Sequence, residues 1–232
     1  MKLVPRLAAL ALTLVAVAGV ACTAAEATEE TASAPATATG AVRVVHLSPD
    51  APPVDILVNG QPAITGLAFP MASEYAALPA DTYAVAVTPA GANDQVVLEA
   101  QLPVTADADA TVVAVGRLAA LELLVLADDN AAPAPGMAKV RVVHAAPDAP
   151  AVDIAVAGGP VLFADIAFKQ DGGYAMVPAG TYDLEVRVAG TETVALALPG
   201  VTLGDGQIVT VFAAGLLADG SLTAIPVEYP AR

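Results

Sequence analysis

The chain is patterned in short runs in which apolar and polar residues alternate. In residues 182–188, YDLEVRV, aromatic and aliphatic side chains alternate with charged ones. A period of two places successive side chains on opposite faces of a β-strand, so the apolar members of this run are predicted to face a core. Residues 83–87, YAVAV, have the same phase. Because Pro, Gly, Asn and Asp separate such runs, the pattern predicts strands joined by turns.

Similar runs predict further strands in the first half of the chain. Residues 118–127 also have helix propensity, but their short length and their leucine and valine content favour a strand. Seven or more strands in about 90 residues are typical of a two-sheet sandwich. The additional strands are predicted at 42–47, 54–59, 72–78, 95–102, 110–116 and 120–127.

The sequence contains two tandem copies of one unit. Residues 43–58, RVVHLSPDAPPVDILV, recur as residues 141–156, RVVHAAPDAPAVDIAV, with 12 of 16 positions identical. Residues 78–83 match residues 177–182 in the same way, so the repeat is a tandem domain duplication. We therefore expect two domains that each fold alone, joined by an alanine- and proline-rich linker. The predicted bounds are 41–128 for the first copy, 129–138 for the linker and 139–232 for the second copy.

The N-terminal segment has the pattern of an export signal. Lys2 and Arg6 precede a 12-residue run at 7–18 in which only Thr13 is not apolar. The run is too short to span a bilayer comfortably, and we predict a signal peptide over residues 1–21. Cys22, the only cysteine, follows, and the arrangement resembles the signal of bacterial lipoproteins, which implies that Cys22 is lipidated. Ordinary signal-peptidase cleavage is the alternative. Residues 22–40 are predicted to be a disordered tether, so the protein is expected to be anchored to the bacterial cell envelope, outside the cytoplasm.

The charge of the chain excludes some partners. A formal net charge of -15 repels phosphate backbones and anionic lipid head groups, so no nucleic-acid partner is expected. Its simplest effect is solubility. Two acidic segments, Asp107 with Asp109 and residues 128–130, leave a hard cation such as calcium as an alternative, although neither has the spacing of an EF-hand loop.

The two histidines are the candidates for chemistry. His46 and His144 are equivalent, and each is followed by two aspartates, which suggests either a metal site or part of a catalytic triad. The nearby hydroxyl of Ser48 has no counterpart, because Ala146 replaces it in the second copy. We therefore predict no catalytic residue and no metal site, and expect each histidine to hold its turn through a carboxylate or a loop carbonyl. The predicted structural polar cluster comprises His46, Asp50, Asp55, His144, Asp148 and Asp153.

Two tyrosines occupy equivalent places after a turn. Tyr83 and Tyr182 begin their strands directly after a Pro-Ala-x-Thr sequence. We predict that each ring packs on the core while its hydroxyl bonds a loop carbonyl, similar to the tyrosine corner of sandwich domains.

The repeated RVVHxxPDAPxVDI motif, with its P-A-(G/D)-T-Y turn, resembles the bacterial domain-of-unknown-function family 4397. The resemblance covers residues 41–128 and 139–228. It implies exported or cell-surface proteins with immunoglobulin-like domains and no established activity. The expected fold class is all-β, with two tandem immunoglobulin-like β-sandwich domains after the signal peptide and the tether.

The expected function is that of a non-catalytic surface lipoprotein that needs no cofactor and acts as a structural, adhesion or interaction module. Its expected partners are the membrane, through the lipid, and envelope proteins or polymers. A solute- or carbohydrate-binding lipoprotein is the alternative, and a hydrolase is a weaker one. These alternatives predict a concave pocket with convergent polar groups.

Overall fold

The computed structural model describes residues 38–229; the predicted signal peptide, Cys22 and most of the predicted tether lie outside them. The described residues form sixteen strands and one short 3-10 helix, Leu118–Ala120, so the all-β prediction is confirmed. No helix in this part of the chain is long and apolar enough to cross a membrane. The strands of the first copy are β1 Thr39–His46, β2 Val54–Val58, β3 Gln61–Leu67, β4 Ala76–Pro79, β5 Asp81–Pro89, β6 Leu98–Val104, β7 Asp109–Val115 and β8 Glu122–Asp128. Those of the second copy are β9 Met137–His144, β10 Val152–Val156, β11 Val161–Ile166, β12 Asp171–Pro178, β13 Gly180–Val188, β14 Val194–Leu203, β15 Ile208–Ala214 and β16 Thr223–Tyr229.

Each copy is a sandwich of two four-stranded sheets. We call β4-β1-β7-β8 and β12-β9-β15-β16 the inner sheets, and β3-β2-β5-β6 and β11-β10-β13-β14 the outer sheets. At the centre of each inner sheet, the first strand of the copy pairs in parallel with its seventh, β1 with β7 and β9 with β15. All other pairs of neighbouring strands are antiparallel. The predicted pair of sandwiches is confirmed.

Aliphatic side chains fill the space between the inner and outer sheet of each copy. In the first copy, Val44 and Val112 of the inner sheet pack with Ile56 and Val87 of the outer sheet. The second copy has an equivalent core. Alternation along each strand creates these faces, because every second residue points toward the facing sheet.

A third core joins the two copies. Val45 and Val113 of the first inner sheet pack with Val143 and Phe212 of the second, so the four sheets stack in the order outer, inner, inner, outer. Strands β1 and β9 are consequently buried on both faces. The described residues 38–229 belong to one compact unit. That each copy folds alone stays a prediction. Sequence pattern marks a strand as apolar on both faces without showing what covers the second face.

Several strands differ from their predicted bounds. Strands β4 and β6 begin at Ala76 and Leu98, later than the predicted residues 72 and 95. Strand β3, Gln61–Leu67, was not predicted, because Pro62 and Gly66 interrupt its pattern and most of its side chains are exposed. The segment 118–127 was predicted as a strand from residue 120. Its first residues, Leu118–Ala120, instead form a 3-10 turn, and strand β8 begins at Glu122.

Candidate functional site

Both histidines lie fully buried at the ends of β1 and β9. The Nε2 atom of His46 lies 3.2 Å from the carbonyl oxygen of Pro52, and its Nδ1 atom accepts a hydrogen bond of 3.4 Å from the amide of Ser48. His144 repeats this arrangement with Pro150 at 3.0 Å and the Ala146 amide at 3.2 Å. Because a carbonyl only accepts and an amide only donates, each ring is neutral with its proton on Nε2. Both nitrogens of each ring therefore hold the backbone of the loop that follows.

Burial lowers the pKa of both histidines below the ordinary histidine value, because desolvation disfavours the imidazolium ion. The hydrogen bond from Nε2 to the proline carbonyl opposes this effect without reversing it. The two rings are therefore neutral at neutral pH.

The first aspartate of each motif fixes a different loop. Asp50 accepts a hydrogen bond of 2.8 Å from the Leu118 amide, just after β7. Its equivalent, Asp148, accepts bonds from the Leu217 and Ala218 amides at 2.8 and 3.2 Å. Partial desolvation acts to raise the pKa of Asp148, but the hydrogen bonds from these amides lower it below the ordinary value of an aspartate. Each aspartate thus ties the loop after the first strand to the loop after the seventh.

The second aspartate of each motif ties the end of one outer strand to the loop that follows another outer strand. Asp153 accepts hydrogen bonds from the amides of Asp165 at 2.7 Å and Gly190 at 2.9 Å, and these bonds lower its pKa. Asp55 accepts equivalent bonds from the amides of Gly66 and Gly91.

Within each copy, the predicted histidine and the two predicted aspartates hold different backbone segments. Each histidine bonds a loop carbonyl, one of its two predicted partners, and neither histidine bonds an aspartate in the described part of the chain. The physical reason is their position in the fold. His46 ends β1 of the inner sheet, whereas Asp55 lies within β2 of the outer sheet and reaches β3 and the loop after β5. The motif supplies three separate attachments to backbone groups. Ser48 is buried, and its hydroxyl lies 3.5 Å from Asp50.

The hydroxyls of Tyr83 and Tyr182 each bond a backbone carbonyl, as the sequence predicted. The Tyr83 hydroxyl donates to the Pro79 carbonyl at 2.9 Å, and the Tyr182 hydroxyl donates to the Pro178 carbonyl at 2.6 Å. Both rings pack against the core of their copy.

The arginines that begin the repeated motif form a site between the copies that the sequence did not predict. Arg141 is fully buried, and its Nη1 donates to the Ala127 carbonyl of the first copy at 2.8 Å. Arg43 donates in the same way to the Glu228 carbonyl of the second copy at 2.9 Å. Because Ala127 and Glu228 occupy equivalent places on β8 and β16, the exchange is symmetric.

The symmetry ends one residue later, where Asp128 and Tyr229 occupy equivalent positions. Asp128 forms a fully buried ion pair with Arg141 at 2.6 Å. Arg43 instead stacks on the Tyr229 ring, with 3.6 Å between the guanidinium carbon and the ring centroid. The Tyr75 hydroxyl also donates to Asp128 at 2.6 Å, and burial raises the pKa of this tyrosine, so that the hydroxyl stays protonated. In the sequence, this site is indicated by an arginine among valines, in residues 42–45 and 140–143.

The acidic segments named as possible cation ligands line one cavity of about 780 Å³ beside the linker. Asp128 there is paired with Arg141, and Asp129 forms an ion pair of 2.8 Å with Lys139. The Asn130 amide donates to Asp109 at 2.6 Å. Within residues 38–229, no group of three or more His, Cys, Asp or Glu side chains is placed so that it could hold a metal ion.

Loops from both copies meet at one end of the interface. Arg117, after β7, lies 3.4 Å from Asp148 of the second copy. The next residue, Leu118, and its equivalent Leu217 are large apolar side chains with 38% and 39% of their surface exposed. Their amides are held by Asp50 and Asp148, so the exposed leucines lie on fixed backbone.

Comparison with known proteins gives a family and no function. No curated protein matches the chain. The structure titled "The Bacillus anthracis TIE protein" is 13% identical with a TM-score of 0.25, and the match covers 77% of this chain and 34% of that one. The chain thus spans about a third of that structure's length. The domain of unknown function DUF4397 matches residues 40–155 and 138–231, and the chain belongs to this family.

Proposed function

We propose that this protein is a lipid-anchored envelope protein that acts as a non-catalytic interaction module. The repeated polar residues support a role in folding, because both nitrogens of His46 and His144 bond backbone groups of their loops. A general base needs a free nitrogen within reach of a substrate proton. The anchor is inferred from residues 1–22, which have the pattern of a lipoprotein signal.

The observation that carries the proposal is the surface around Leu118 and Leu217. Apolar side chains exposed on rigidly held loops are typical of binding surfaces, because little conformational entropy is lost on contact. The two leucines come from different copies, and the Arg117–Asp148 ion pair brings their loops together. We call the loops 117–120 and 216–221 the loop surface.

The charge of the protein indicates what kind of partner would bind it. A net charge of -15 favours partners that present basic groups and increases their rate of association at low ionic strength. Envelope proteins or polymers with cationic segments fit this chemistry.

Capture from isolated envelopes tests the interaction. The double variant Leu118→Ser, Leu217→Ser is expected to lose most of the envelope material that the wild-type protein retains. The control variant Val161→Ser, Val194→Ser removes two exposed apolar side chains from the second outer sheet and is expected to retain it. Equal capture by both variants would contradict the assignment of the loop surface.

Fractionation tests the anchor separately. The Cys22→Ala variant is expected to appear in soluble fractions, and labelled fatty acid is expected to enter only the wild-type protein. A variant that stays with membranes, together with a wild type that takes up no label, would exclude the lipid.

A further inference from the structure

The second copy contains a cavity of about 310 Å³ between its two sheets. Both the inner and the outer sheet contribute to its lining, so the cavity replaces part of the core of that sandwich. A cavity of this size is at the lower end of the range for small-molecule sites. Its lining includes Leu184, Leu198, Val201, Val211 and Ala224.

Equivalent positions in the first copy are closed. Val112 is 2% exposed, whereas its equivalent in the second copy, Val211, is half-buried. Leu102 is likewise buried, and its equivalent Val201 is half-buried. The same fold therefore packs tightly in one copy and leaves solvent access in the other.

One substitution between the copies contributes to this opening. Leu123 of β8 packs against the first core, and the equivalent residue of β16 is Ala224, which lines the cavity. Replacing leucine by alanine removes a large part of a side chain, and a packed protein closes such a space only partly. Val201, in place of Leu102, removes further volume.

The lining determines the chemistry of an occupant. Among the lining residues only Tyr182 carries a polar side-chain atom, and its hydroxyl is already bonded to the Pro178 carbonyl. A polar group placed inside would find no side-chain donor and, apart from the Tyr182 oxygen, no side-chain acceptor, which is costly in an apolar site. The cavity lies between two sheets packed face to face, and such a slot is narrow in one direction. It fits a linear hydrocarbon chain better than a bulky ring system.

We propose that the second copy binds a linear hydrocarbon chain with an uncharged head group in this cavity. Burial of the apolar chain provides the binding free energy, at about 0.8 kcal/mol for each buried methylene group. The head group stays in solvent at the opening, where the acidic protein disfavours an anionic head. This activity is additional to the proposed interaction role of the loop surface.

Titration of residues 23–232 with 1-octanol, followed by methyl NMR, tests the proposal. We expect saturable shifts of the methyl groups of Leu184, Val201 and Val211, and weaker binding of octanoate. Ala224→Leu fills the cavity and is expected to lower the affinity about tenfold or more while raising the melting temperature. An absence of saturable shifts, or unchanged affinity in Ala224→Leu, would overturn the proposal.

The matched control is Ala197→Leu, which adds the same side chain on the exposed face of β14 and is expected to keep wild-type affinity. If Ala224→Leu does not fold, Ala224→Val makes a smaller change with the same expected direction. The reciprocal variant Leu123→Ala opens the first core and is expected to add a second site, reported by the methyl groups of Val85 and Val112. Loss of binding in Ala197→Leu as well as Ala224→Leu would count against the cavity.

Discussion

At the scale of the residue, His46 shows how a histidine in a repeated motif serves folding without ionising. Its ring is fully buried at the end of β1, and it joins the carbonyl of Pro52 to the amide of Ser48. A neutral imidazole can do this because it has one donor and one acceptor on opposite sides. Protonation would place a second donor against the Ser48 amide and leave a buried charge without a counterion.

The lowered histidine pKa predicts how stability depends on pH. The unfolded chain has ordinary histidines with a pKa of about 6.5, so below that pH it binds more protons than the folded protein. The free energy of unfolding is therefore expected to be fully retained above about pH 7 and to fall as the pH decreases from there toward 5. Thermal melts across this range would measure the slope.

The matched variant is His46→Gln, His144→Gln, which keeps a hydrogen-bond donor and cannot titrate. It is expected to lose most of the slope between pH 7 and 5, whatever its absolute melting temperature. A slope equal to that of the wild type would show that other groups are responsible. Carboxylates with lowered pKa, such as Asp148 and Asp153, affect stability in a lower range, where it is lost as they become protonated.

The sequence predicted the role of the histidines more completely than that of the arginines. A histidine before a Pro-Asp turn has its backbone partners within six residues, so local pattern is informative. Arg43 has its partner carbonyl 185 residues away, at Glu228. No local pattern predicts a partner so far away in the sequence. Only the position of Arg43 among valines indicated that its environment is unusual.

At the scale of the element, the sequence predicted which side chains of a strand face the core. The points at which β7 and β15 end are marked by glycine. The period of two in β5 and β13 predicted their core faces correctly, and Val87 and Val186 are buried there as expected. Strand β3 was missed because its exposed residues have no apolar alternation. The structure adds that β7 and β15 are each followed directly by a glycine with positive φ, Gly116 or Gly215.

Gly116 is expected to be far less replaceable than a glycine in an ordinary turn. Its φ is +92°, and a Cβ atom there would lie 2.5 Å from the Ala120 carbonyl oxygen. Gly91 has φ +78° with nothing within 4 Å of its Cβ position. Both alanine variants incur left-handed strain of about 1–2 kcal/mol, but only Gly116→Ala adds a backbone clash.

Denaturant unfolding of the two variants measures the difference. Gly116→Ala is expected to lose clearly more stability than Gly91→Ala, and Gly215→Ala is expected to behave like Gly116→Ala, because the Ser221 carbonyl lies in the same place. Equal losses at Gly116 and Gly91 would mean that the loop after β7 moves without cost.

At the scale of the whole molecule, one apolar core joins the two copies. The shared core between the inner sheets contains Val45, Val113, Val143 and Phe212, all of them completely buried. Unfolding one copy would expose the apolar face of the other. We therefore expect one cooperative calorimetric transition, with equal calorimetric and van't Hoff enthalpies.

The buried ion pair between the copies should contribute strongly to that transition. Asp128→Ala leaves Arg141 buried without a counterion, and such a change typically costs about 3–5 kcal/mol. The control Glu122→Ala removes an exposed ion pair with Lys169, also between the copies, and is expected to cost less than about 1 kcal/mol. Chemical denaturation of both variants tests this, and similar losses would contradict the importance of burial.

The near-symmetry of the inner-sheet interface has a consequence for assembly. A two-fold symmetric dimer uses the same surface on both subunits, and the reciprocal bonds of Arg43 to Glu228 and of Arg141 to Ala127 have that form. The tandem chain is in effect a homodimer whose subunits are covalently joined. Residues 137–232 alone are expected to sediment as a dimer through this face, and Phe212→Asp is expected to abolish that dimer. Placing both faces in one chain makes such an association occur within a single molecule, where it does not depend on protein concentration.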